Sequence, residues 1–88
     1  MNALDDVREV ILETVSERLD LDRAALEKLR ANGRLDEFTA VDSLLMVELV
    51  LMLEERFDIR FDPERIDAEL ISDLDLLSAF VESARANC

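Results

Sequence analysis

The stretch Asp42-Ser43-Leu44-Leu45-Met46-Val47-Glu48-Leu49-Val50-Leu51-Met52-Leu53-Glu54-Glu55-Arg56-Phe57 runs without Gly or Pro. It predicts one long helix from Ser43 to Phe57, with the Asp42 carboxylate accepting from the free amides of the first turn. Two faces of this helix are apolar. Leu49, Val50, Leu53 and Phe57 share one that suits a core, while Leu44, Val47 and Leu51 lie about a third of a turn away. Glu48, Glu54 and Glu55 rim the second stripe. A bundle helix needs only one stripe, so the second implies either a docking surface with an apolar centre and acidic border, or a wide face that is mostly buried.

Outward from this helix, Leu4, Val7, Val10, Ile11, Val15 and Leu19 recur at helical spacing. They predict a first helix over 3–19, capped by Asn2 and favoured by Asp5 and Asp6 at its positive end. Asp20-Leu21-Asp22 interrupts it. Asp22 can cap a minor helix from Arg23 to about Ala31, which Asn32-Gly33 would end through a left-handed residue. Residues 34–41 lack a period and read as a loop pinned by Leu35 and Phe38. After Phe57, Ile59 and Phe61 flank Arg60 in an extended stretch. Asp62-Pro63-Glu64 then offers a cap followed by Pro at the first helical position, predicting a short helix over Pro63–Leu70. Ser72-Asp73-Leu74-Asp75 loosely fits a capping box, and Leu74, Leu77, Phe80, Val81 and Ala84 form the stripe of a last helix. The reading is all-α: a small four-helix bundle with a long first connection that can hold a minor helix, and a short third helix.

The 88 residues make a single domain, 1–88, too small for an enclosed catalytic cleft beside a core. Binding or carrying is favoured over catalysis. A net charge of −12 argues against nucleic acid, which needs clustered Lys and Arg, and toward partners with basic patches. With no His and one Cys, at position 88, the chain lacks the commonest general base and the means for a zinc site or internal disulfide. No segment approaches the roughly 18 apolar residues of a membrane span, and the acidic N-terminus does not read as a signal peptide. A soluble, cytoplasmic protein without metal is expected.

Asp42-Ser43-Leu44, then Val47-Glu48-Leu49, then Leu53-Glu54-Glu55-Arg56-Phe57-Asp58-Ile59, resemble in register the acyl carrier proteins of fatty-acid and polyketide synthesis, and the likeness spans nearly the whole chain. The resemblance implies that Ser43, flanked by Asp42 and Leu44, receives a 4′-phosphopantetheine arm from coenzyme A through a separate, magnesium-using phosphopantetheinyl transferase. The arm's thiol would hold acyl or aminoacyl groups as thioesters. It also implies that Leu44, Leu45, Val47, Glu48, Leu51 and Glu54 meet partner enzymes that load and process the acyl group. Independently, a serine with no His in the chain has no resident base, so another protein must drive chemistry at its oxygen. A helix N-terminus also suits a phosphodiester.

Three positions depart from the family's usual pattern. Ala40 stands where many members of the wider family have Gly, Leu45 where fatty-acid members commonly have an acidic residue, and Met52 where they usually have a small Ala, so that Met52 is expected to fill part of the interior channel for a long acyl chain. These favour a free-standing, monomeric carrier of a specialised polyketide or hybrid nonribosomal peptide pathway, with primary fatty-acid synthesis as the alternative. From another class, the second apolar stripe could be the seam of a structural dimer without any prosthetic group. A cation-binding role is weak, because Asp20-Leu21-Asp22 and Asp73-Leu74-Asp75 lack the further oxygen ligands of a calcium loop.

Overall fold

The computed structural model describes residues 3–86; the Asn2 cap and Cys88 of the sequence reading lie outside them. Among the described residues the chain is helical and without strands: α1 Ala3–Leu19, α2 Arg23–Asn32, α3 Ser43–Phe57, α4 Ala68–Ser72 and α5 Leu74–Ala86, with 3-10 turns at Leu35–Glu37 and Pro63–Arg65. The minor helix of the first connection is formed. Asp22 caps it by accepting from the Ala25 amide at 2.8 Å, and Gly33 closes it at φ 76° with its N–H donating to the Leu29 carbonyl.

Helix α1 packs against both α3 and α5, with α2 against α1 and α4 against α5. Their inner faces supply one core: Val7, Ile11, Leu12 and Val15 from α1, Leu29 from α2, Leu49, Val50 and Leu53 from α3, and Leu74, Leu77 and Val81 from α5. Leu35 is fully buried and Phe38 packs on the core, so the loop is anchored where its apolar residues required. Ile59 and Phe61 point inward around exposed Arg60, and Phe61 stacks on Phe80 with ring centroids 5.1 Å apart.

Two boundaries differ from expectation. The predicted helix over Pro63–Leu70 is divided into the 3-10 turn and α4, because Ile66 and Asp67 are extended and Asp67 starts a new helix by accepting from the Leu70 amide at 2.8 Å. The cap of α5 is Asp73 rather than Ser72. Its Oδ1 accepts from Asp75 and Leu76, while Ser72 is buried at the end of α4.

Candidate functional site

Ser43 opens α3. The preceding Asp42 is extended, and its Oδ1 accepts from the Leu45 amide at 2.9 Å while its carbonyl accepts from Met46 at 3.0 Å. That leaves the amides of Ser43 and Leu44, and the Ser43 hydroxyl itself, without a hydrogen bond among the described residues. Ser43 is exposed. An accessible hydroxyl beside unsatisfied amides at the positive end of a fifteen-residue helix is well placed for an esterified anion.

The apolar residues of α3 separate into two sets. Leu49, Val50 and Leu53 are buried, whereas Leu44, Val47 and Leu51 are 64%, 54% and 58% exposed, so the second stripe is a surface and not part of a wide buried face. Leu45, placed among the partner-contacting residues by sequence, is only 5% exposed and belongs to the core. A step of about 100° per residue carries it away from Leu44 to the inner side of the helix.

The expected acidic rim is largely committed to internal contacts. Glu48 is ion-paired with Arg18 of α1, both side chains 34% exposed. Glu54 accepts from the Phe61 amide at 2.7 Å, holding the segment after α3 against the helix. Among the carboxylates of α3, Glu55 alone has no partner among the described residues. The Arg18 pairing had no local signal in the sequence, since it joins residues on two helices.

Beside Ser43 lies an apolar cleft of about 260 Å³, lined by Ser43, Met46, Val47, Val50, Leu51, Pro63 and Ile66. Met52, expected to fill the interior, is half-buried and does not line this cleft. Met46, Pro63 and Ile66 were not singled out by sequence. Pro63 and Ile66 reach the site because the chain turns back along α3 after Phe61. No group of three or more His, Cys, Asp or Glu able to hold a metal occurs among the described residues, nor does a helix long and apolar enough to cross a membrane.

A family model described as the phosphopantetheine attachment site matches residues 9–81. An acyl carrier protein of Campylobacter curvus is 35% identical over 78 residues, covering 89% of this chain and 91% of that protein. One from Campylobacter hominis is 31% identical over 87 residues, 99% of either chain, and one from a Sulfurovum species is 32% identical over 68 residues, 77% of this chain and 81% of that one. No solved structure matches.

Proposed function

Because the chain belongs to the acyl carrier protein family, a family of carriers rather than enzymes, we propose that Ser43 is the residue that takes the family's 4′-phosphopantetheine arm. The carrying observation is the exposed, unbonded Ser43 hydroxyl at the start of α3, beside the amides of Ser43 and Leu44. These residues fit the group. The two amides and the helix dipole suit a phosphodiester, and Asp42, occupied with the Leu45 amide, holds the helix start in place. When bound, the arm supplies a thiol that carries acyl or aminoacyl groups as thioesters.

Leu44, Val47 and Leu51 form the centre of the docking face for a phosphopantetheinyl transferase, which uses magnesium, and for enzymes that load and process the acyl group. The chain acts as a monomer that serves a specialised polyketide or hybrid pathway. Supporting this, Leu45 stands in the core at a position where fatty-acid members commonly have an acidic residue, so the start of the docking helix is less acidic. The cleft beside Ser43 favours the second reading, primary fatty-acid synthesis, since apolar walls there could shelter part of an acyl chain. Incubation with coenzyme A, magnesium and a broad-specificity transferase is expected to add one arm to the wild type and none to Ser43→Ala. Addition to Ser43→Ala overturns the assignment.

A further inference from the structure

We propose that Arg18 is an internal competitor for the basic residues of partner enzymes, and so sets which partners gain from Glu48. The inference rests on the reading of Ser43 and its docking stripe. Glu48 stands one turn after Leu44 and three residues before Leu51, so it borders the exposed apolar stripe. It flanks the stripe at the end nearer Ser43, as exposed Glu55 does one turn beyond Leu51. Yet its carboxylate is already held by the Arg18 guanidinium from α1. The pair is half-exposed, 34% on each side, so a partner's Arg or Lys can reach Glu48 but must displace Arg18 to pair with it. Until then Arg18 cancels the attraction of Glu48 at the range where charge steers encounter. A partner that presents only apolar groups to Leu44, Val47 and Leu51 meets no such competition. One that presents a cation to Glu48 gains only the difference between two similar ion pairs.

A second pair between the same helices provides the comparison. Arg56 of α3 pairs with Glu17 of α1, with an equally half-exposed arginine at 31%, but it lies near the far end of α3 from Ser43. Arg18→Gln and Arg56→Gln therefore remove the same charge from the same helix interface, and only the first releases Glu48.

The test follows arm addition by a transferase at low and high salt for the wild type, Arg18→Gln, Arg56→Gln, Glu48→Gln and the Arg18→Gln/Glu48→Gln double variant, each checked by circular dichroism and melting. Arg18→Gln is expected to speed association roughly two- to fivefold at low salt, more than Arg56→Gln does, with the gain lost at high salt. The double variant should return close to the wild-type rate, because both members of the pair are then neutral, and Glu48→Gln alone should slow association by uncovering the Arg18 charge. A gain no larger than that of Arg56→Gln, or a double variant as fast as Arg18→Gln, overturns the role of Arg18. Failure of the wild type to accept any arm defeats the reading of Ser43 and this inference with it, whereas normal arm addition at unchanged relative rates defeats this inference alone.

Discussion

Glu54, expected from sequence as a docking contact, also holds the fold. Its carboxylate accepts from the amide of Phe61, a residue only 5% exposed. Glu54→Ala leaves that amide unsatisfied and should cost about 1–3 kcal/mol in denaturant unfolding, with Glu54→Gln, which keeps an acceptor, costing less. Equal stability of all three proteins would remove the clamp from the account. Arg34 plays a similar role for the first connection, pairing with Asp36, Glu69 and Asp73 while the Gly33 carbonyl accepts from the Leu74 amide. The hydrogen bond from Arg34 holds the Asp36 carboxyl below its ordinary value of 3.8. A depressed carboxyl stabilises the fold above its unfolded value and loses that contribution as pH falls through its folded value. An NMR titration should therefore place Asp36 below the usual range, and Arg34→Gln should return it there. Ser43 and its helix cap could be read from sequence because cap, helix and stripe are local in the chain. The partners of Glu48 and Glu54 could not, because Arg18 is thirty residues away and Phe61 lies beyond a reversal of direction.

Helices α1, α2, α3 and α5 were readable because apolar periodicity, caps and stops agree along each of them. The division of Pro63–Leu70 was not. Pro63 behind Asp62 does start a turn, yet Asp67 also caps, and only the packing of Ile66 and Ile71 decides which start prevails. The ends of α1 and α3 share a device without glycine. Asp20 and Asp58 adopt φ of 54° and 55°, and the following amides of Leu21 and Ile59 donate back to the Ser16 and Glu54 carbonyls at 3.0 and 3.1 Å. A left-handed conformation is strained for a residue with a Cβ, less so for Asp than for most. Asp58→Gly relieves that strain at some cost in unfolded-chain entropy, and thermal unfolding should show a net gain of about 0.5–1 kcal/mol. A loss of stability would mean that the Asp58 side chain contributes more than its backbone costs.

At the scale of the molecule, helix packing brings the serine, an exposed apolar stripe and a small cleft together along the first half of α3. Whether that cleft shelters cargo separates the two pathway readings. In the specialised reading, attaching acyl chains of increasing length should leave the melting temperature nearly unchanged. In the fatty-acid reading, each buried methylene adds about 0.8 kcal/mol, and a clear dependence on chain length would move the protein to that group. Sequence announced the stripe but not the cleft, because the cleft's walls come partly from Pro63 and Ile66, whose return to α3 no local pattern encodes. The central claim is that the start of α3 is built to present Ser43 for covalent loading. It is tested most directly by intact-mass measurement and fragment mapping after incubation with coenzyme A, magnesium and a phosphopantetheinyl transferase. One arm on a peptide containing Ser43 is the predicted result; no addition with several such transferases, or an arm on a peptide lacking Ser43, would contradict it.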